Sequence, residues 1–346
     1  MSSILESEIA EQPDVLARFL ASAADTTARI AAEISRRGIS YVMIAARGSS
    51  DNAARYAQYL FGACNRLPVA LATPSLYTLY NSAPRLNGAL AIGISQSGRS
   101  PDIVSVMESA RAQECPSLAI TNDPASPLAQ AAEWVLPLAA GVERAVAATK
   151  TYTASLGALA LLSVALAGDA ERRAELNCMP GQMRLALGQV QGMGPLVERY
   201  RYTERGAVIG RGYNYGTAFE IALKVKELTR MVSEPYSSAD FLHGPISILE
   251  PGFPLIFVAP SGRTFADLES LAKETRQRGA ELIIISDDEG LLNLARTPLP
   301  LPSGTPEWLS PLITVLPGQL FAAMLAKAKG HDPDHPVGLC KVTQTR

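Results

Sequence analysis

The chain has 346 residues, 47% of them hydrophobic and 18% charged, enough for two domains with large cores and a composition unlike that of disordered chains. A formal net charge of -2 without a long basic run argues against nucleic-acid or membrane-surface binding by electrostatics. Cys64, Cys115, Cys178 and Cys340 stand singly with no CxxC pair and no signal peptide opens the chain, so the expectation is free thiols in a reducing cytoplasm.

Taken in order, the spacing predicts helices over 7–20, with Pro13 in a first turn, and over 23–37, ended by Gly38. The first strand is 40–46. Arg47-Gly48-Ser49-Ser50 follows, then a helix over 51–61. A short strand over 69–73 and a turn over 77–80 lead to the apolar run 89–94, which suits a parallel strand buried on both faces. That run breaks into Ser95-Gln96-Ser97-Gly98-Arg99-Ser100, and Pro101 opens a helix to 113 with Ser100 at its cap. Strands over 116–122 and 134–138 complete five strands alternating with helices, an open doubly wound parallel sheet.

A long apolar helix over 151–167 comes next; its most apolar part, 154–167, is too short for a membrane span. A charged helical connector, 170–191, should break at Pro180-Gly181. The pattern then restarts: strands over 206–210, 254–259 and 282–286, helices to about 231 and over 265–279, and 312–315 introducing a helix over 318–329. Arg211-Gly212-Tyr213-Asn214 echoes the Arg47 loop, and Ser261-Gly262-Arg263-Thr264 echoes the Ser97 loop, a weak internal repeat. The fold class expected is therefore α/β, two tandem doubly wound, flavodoxin-like domains. The boundaries expected are an N-terminal helical segment 1–29, domains 30–175 and 196–330, a connector 176–195, and an irregular tail 331–346.

Ligands of such sheets bind beyond the carboxyl ends of the strands, where both Ser-rich loops fall. Hydroxyls, an amide and free backbone N–H groups at a helix N-terminus suit a phosphate dianion; the alternative is an ordinary Ser-rich strand-to-helix turn. His243, His331 and His335 are too few and too separated for an obvious metal site, and Pro333 and Pro336 break the helix that would align the last two. No metal or organic cofactor is expected.

These motifs, with Glu8-Ile9-Ala10-Glu11-Gln12-Pro13, Ala147-Ala148-Thr149-Lys150, the stretch 210–249 and the closing Leu339-Cys340-Lys341-Val342-Thr343, resemble the two-SIS-domain sugar-phosphate isomerase family. In particular the chain looks like the isomerase half of glutamine–fructose-6-phosphate aminotransferase and its stand-alone relatives, the glucosamine-6-phosphate deaminases of the second type. The resemblance covers essentially the whole chain. The departures are Arg47 and Ser49 in the first loop, Arg99 and Ser100 in the second, and Ala148 where the family has Ser. No glutaminase domain precedes Glu8 and residue 2 is Ser2, so glutamine-dependent amination is not carried over. The second domain's loops lack Ser-Gln-Ser, so one sugar-phosphate site per chain is expected, in the first domain.

Glu220, Lys224 and Glu227 lie at i, i+4 and i+7 and share a helix face, a pattern that by itself reads as a solvated salt-bridged face. The resemblance implies that Glu227 is the isomerising base, oriented by Glu220 and Lys224, that His243 opens the sugar ring from the neighbouring subunit, and that Lys341 contacts the ketose carbonyl or forms a Schiff base with it. It also implies phosphate and substrate contacts at Ser49, Ser50, Ser95, Gln96, Ser97, Ser100, Ala147 and Ala148. The function expected is an amino-sugar 6-phosphate deaminase/isomerase, a cytoplasmic homodimer with shared active sites. The alternatives are a deglycase of phosphorylated sugar–amine adducts and a non-catalytic sugar-phosphate sensor. The sensor reading predicts loss of the Glu227 or Lys341 positions, which are both present, and no helix-turn-helix segment precedes the sugar domain.

Overall fold

The computed structural model describes residues 2–341; Val342 and Thr343 of the closing motif lie outside it. The chain forms two compact units. One comprises Asp14–Glu143, Lys150–Cys178 and the residues from Cys340. The other comprises the residues to Pro13, Arg144–Thr149 and Met179–Leu339.

In chain order the first unit carries most of α1 (Ile4–Arg36), β1 (Tyr41–Ala45), α2 (Ser49–Asn65), β2 (Val69–Leu71), α3 (Ser75–Thr78), β3 (Ala89–Ser95), α4 (Pro101–Ala112), β4 (Ser117–Thr121), α5 (Pro127–Ala131), β5 (Trp134–Pro137) and α6 (Lys150–Ala167). Its strands are all parallel, in the order β2-β1-β3-β4-β5. All seven residues of β3 are buried, as its unbroken apolar run demands at the centre of a sheet covered on both faces. Ile103, Val106, Met107 and Ala110 of α4 pack with Ala89, Ala91 and Leu128 in the core on one face.

After α7 (Ala170–Gln189), the second unit carries α8 (Gly194–Val197), β6 (Arg205–Gly210), α9 (Tyr215–Thr229), β7 (Val232–Ser237), α10 (Ser238–Leu242), β8 (Pro254–Val258), α11 (Phe265–Gln277), β9 (Glu281–Ser286), α12 (Glu289–Leu292), β10 (Thr297–Pro300) and α13 (Pro311–Ala328). Its sheet is again all parallel, and its order, β7-β6-β8-β9-β10, repeats that of the first. Each sheet reverses its winding between its first and third strands, at β1/β3 and β6/β8, which is where doubly wound folds open a ligand crevice.

Several sequence expectations are corrected. The two N-terminal helices are one, and Pro13 lies inside it rather than in a first turn. Proline has no N–H for the carbonyl four residues back. That carbonyl, Ile9 O, instead accepts from the Gln12 side-chain amide at 3.1 Å, which also donates to Gln319 Oε1 at 2.8 Å. Helix α7 likewise runs through Pro180-Gly181 without the expected break. Met179, Met183 and Ala186 are fully buried, and their packing outweighs local propensity. Residues 312–315 belong to α13 itself.

The strands β7 and β10 were not anticipated. Both carry proline (Pro235; Pro298 and Pro300) and both are sheet edges, where a missing N–H is tolerated. The tail is not idle either: Asp334 accepts from Ile4 N at 3.0 Å and Leu5 N at 2.8 Å, capping the start of α1. Helices α6 and α13 are long and apolar enough to cross a membrane, α6 starting earlier than expected at Lys150. They are 83% and 78% buried within the protein, as core helices are.

Candidate functional site

The Ser95–Ser100 loop lies at the carboxyl edge of the first sheet, and its own bonds hold it in shape. Ser95 Oγ accepts from Gly98 N at 3.2 Å, Ser97 Oγ from Arg99 N at 3.3 Å, and Gly98 O from Leu128 N at 3.0 Å. Gly98 has φ +63°, and a Cβ there would stand 2.0 Å from Ser126 Oγ, so the turn admits only glycine. Ser100 occupies the N-cap position of α4, but its side chain makes no capping bond, which leaves the hydroxyl to other partners. Ser49 and Ser50 sit in the first turn of α2, which begins two residues earlier than expected, and both are half-buried. The two hydroxyl-bearing loops therefore follow the neighbouring strands β1 and β3 and flank the switch point.

A chain of bonds runs from this loop to Lys341. Gln96 O accepts from Asn122 N at 3.1 Å, just past β4. The Asn122 side chain accepts from Ala140 N at 2.9 Å and donates to Gly141 O at 2.8 Å. Two residues on, fully buried Glu143 places Oε2 2.9 Å from Lys341 Nζ. Glu143 also accepts from Thr151 N at 3.1 Å and Thr151 Oγ1 at 2.9 Å, so its charge faces the N-terminal turn of α6. The loop, Glu143 and Lys341 thus belong to one bonded edge of the first unit. Glu143, 198 residues from its partner, was not singled out in the sequence.

The second unit holds the carboxylates. On α9, Lys224 Nζ stands 2.5 Å from Glu227 Oε2 and 3.5 Å from Glu220 Oε1. Lys224 and Glu220 are buried, whereas the Glu227 side chain keeps 23% exposure. The bland reading of a solvated face is therefore wrong for two of the three residues. Glu227 lies two residues before the end of α9, and the chain then enters β7 opposite the start of β6. It is thus at the amino edge of its own sheet, away from the β6/β8 crevice. His243 is exposed at the C-terminal end of α10. Ala147 is buried and Ala148 half-buried in a segment whose start, Arg144 N and Ala145 N, donates to buried Glu8 at 2.5 and 3.2 Å. Among the described residues no cluster of His, Cys, Asp or Glu could hold a metal ion. His335 pairs with Asp332 at 3.1 Å, both exposed.

The duplicated doubly wound fold, with a hydroxyl-rich loop at its first switch point, defines a tandem α/β protein of two parallel-sheet domains. The SIS-domain profile matches it twice, over residues 39–165 and 202–328, and the chain belongs to that family. The glutamine–fructose-6-phosphate aminotransferase of Mycolicibacterium smegmatis is 33% identical over 355 residues, covering 96% of this chain and 56% of that protein. The enzyme of the same name from Thermococcus kodakarensis is 36% identical over 261 residues, 73% of this chain and 43% of that one. The chain spans about half the length of these curated relatives. Among solved structures, a candidate phosphosugar isomerase from Silicibacter pomeroyi superposes with TM-score 0.86 at 33% identity, over 96% of this chain and all of that one. The C-terminal domain of glucosamine–fructose-6-phosphate aminotransferase from Francisella tularensis gives 0.87 at 26% identity, over 97% and 99%.

Proposed function

We propose that the chain is a sugar-phosphate isomerase that converts glucosamine 6-phosphate and water to fructose 6-phosphate and ammonia. The observation that carries the reading is Glu227, a partly exposed carboxylate held 2.5 Å from a buried ammonium. A carboxylate so oriented suits the transfer of a proton between C2 and C1 of an open-chain sugar. The resulting imine at C2 takes up water and loses ammonia. The names of the aminotransferase relatives, which include an isomerising step, support the proton transfer.

In this reading Ser49, Ser50, Ser95, Gln96, Ser97 and Ser100 hold the 6-phosphate, with Ala147 and Ala148 against the sugar. Lys341, steadied by Glu143, meets the C2 carbonyl, and Lys224 and Glu220 orient the base. His243 opens the ring from a second copy of the chain. A mixture of His243→Ala and Glu227→Gln chains should then recover part of the activity in verified heterodimers.

The test is incubation of glucosamine 6-phosphate in heavy water, following ammonia, fructose 6-phosphate and deuterium at C2 of the recovered glucosamine 6-phosphate. All three are expected. Deuterium exchange and aldose–ketose interconversion without ammonia would remove the deaminase and keep the isomerase. Ammonia release only from glycated-amine phosphates would replace the substrate. Binding without exchange from any hexose phosphate would leave a sensor.

A further inference from the structure

One charged pair at the first switch point has no part in the function proposed above. Arg47 leaves the end of β1, and its Nε donates to Asp102 Oδ2 at 2.8 Å. Asp102 lies in the first turn of α4, the helix that follows β3, and its side chain is fully buried; its other oxygen accepts from Ile103 N at 2.9 Å. Arg47 keeps 51% of its side chain exposed. The bond therefore crosses between the two neighbouring strands at the crevice, with the Ser49–Ser50 turn on one side and the Ser95–Ser100 loop on the other.

We propose that Arg47, positioned by Asp102, is an additional anion-binding group of this crevice, a permanent guanidinium that grips the phosphate dianion beside the hydroxyls. This rests on the crevice being the phosphate site. A guanidinium carries five N–H donors in a rigid fork. Bonding through Nε fixes the plane and leaves the paired terminal nitrogens, whose geometry matches two phosphate oxygens. A half-exposed arginine tied to a fully buried carboxylate is held in orientation, whereas an exposed pair such as Arg99–Asp123, at 3.3 Å and with 63% and 36% exposure, constrains little.

The second domain supplies an internal comparison. Arg211 leaves β6 in the equivalent place, with Nη1 3.0 Å from Asp267 Oδ2, in the first turn of α11, and 3.2 Å from Ser238 Oγ. There the loop is closed by acids of the chain itself. Ser261 N donates to Asp287 Oδ1 at 2.6 Å, and the Glu307 carboxyl lies so close to the loop that a Cβ on Gly262 would meet its carbon at 2.5 Å. A phosphate at that loop would face two like charges. In the first domain the residue at the corresponding place, one past the end of the strand, is the uncharged Asn122, whose side chain is taken up by Ala140 N and Gly141 O. The arginine is thus duplicated and the open anion crevice is not.

Titration calorimetry of the full chain with glucose 6-phosphate, fructose 6-phosphate and inorganic phosphate tests this without relying on turnover. Removing Arg47 alone would strand the buried Asp102 charge, so the diagnostic variant is Arg47→Ala with Asp102→Asn, checked for folding by its melting temperature. Its affinity for all three anions should fall about tenfold to a hundredfold, the worth of a charge-assisted contact. Arg47→Lys, which keeps the charge and loses the fork, should fall by less, about fivefold. Arg211→Ala should bind as the wild type does. If the folded double variant binds like the wild type while Ser97→Ala does not bind, Arg47 is no part of the site although the phosphate loop stands. Wild-type binding by Arg47→Lys decides the same way should the double variant not fold. If the wild type binds none of the three, or Ser97→Ala binds equally well, the phosphate reading itself fails and this proposal with it.

Discussion

Lys341 Nζ and Glu143 Oε2 meet at 2.9 Å although 198 residues separate them, and the carboxylate is fully buried. The pair ties the end of the described chain to the N-terminal turn of α6, where Glu143 also takes both donors of Thr151. Losing Lys341 leaves Glu143 with those donors and the helix dipole. Losing Glu143 removes the acceptor of all three groups. Glu143→Leu should therefore lower the unfolding free energy by about 3 kcal/mol or more, and Lys341→Met by about 1–2 kcal/mol, because the lysine is partly hydrated already. Urea unfolding of the two variants checks the order; a larger loss for Lys341→Met would overturn it.

The five-stranded logic of the first domain and the Ser-rich loop were readable because β3 is a long apolar run with an abrupt polar end. What could not be read is of two kinds. Edge strands β7 and β10 contain prolines and lack the apolar run that marks a central strand, so local pattern argues against them. The partners of buried charges are remote in sequence: Asp102 is 55 residues from Arg47, and Glu143 is further from Lys341. Spacing on one helix gave Glu220, Lys224 and Glu227, since i to i+7 is local; it could not say that two of the three are buried.

The proline inside α1 gives a coupled test. Gln12→Leu leaves Ile9 O without its donor in a buried place and should destabilise by about 1–3 kcal/mol. Pro13→Ala supplies the missing backbone N–H. The double variant should thus be more stable than the sum of the single changes predicts, an interaction read by a double-mutant cycle. Strict additivity would mean that Gln12 does not stand in for the proline.

Gly98→Ala places a methyl 2.0 Å from Ser126 Oγ at φ +63°. The backbone term is about 1–2 kcal/mol and the crowding about 1–3 kcal/mol. Thermal unfolding should show the loss, and adding Ser126→Gly should recover the crowding part only. Full recovery would mean that the positive φ carries no strain.

Thiol reactivity should follow burial. Burial pushes the Cys115 thiol above its ordinary range, against a weaker opposing bond from the Ala91 backbone. Thiolate is therefore disfavoured at Cys115, which is also shielded from reagent, whereas Cys178 and Cys340 are exposed. A disulfide reagent should label Cys178 and Cys340 quickly in the native protein and Cys115 only on unfolding. Rapid native labelling of Cys115, mapped by mass spectrometry, would contradict its placement beneath the sheet.

The last expectation concerns Glu227. Lys224 fixes its carboxylate from a buried position, and Glu220 shares the ammonium at 3.5 Å. Glu227→Gln keeps the shape and still accepts from Lys224, but loses the basic oxygen. If Glu227 moves the proton between C2 and C1, kcat should fall about a hundredfold to ten-thousandfold. The Kd for sugar phosphates should change little, because the hydroxyl loop belongs to other residues. Exchange of the C2 hydrogen with heavy water should vanish together with turnover. Lys224→Met is the companion variant: it frees Glu227 and leaves Glu220 buried without this partner, so both stability and kcat should drop. A Glu227→Gln protein that washes deuterium into substrate at the wild-type rate would remove the carboxylate from the chemistry and make Glu220 the next residue to test.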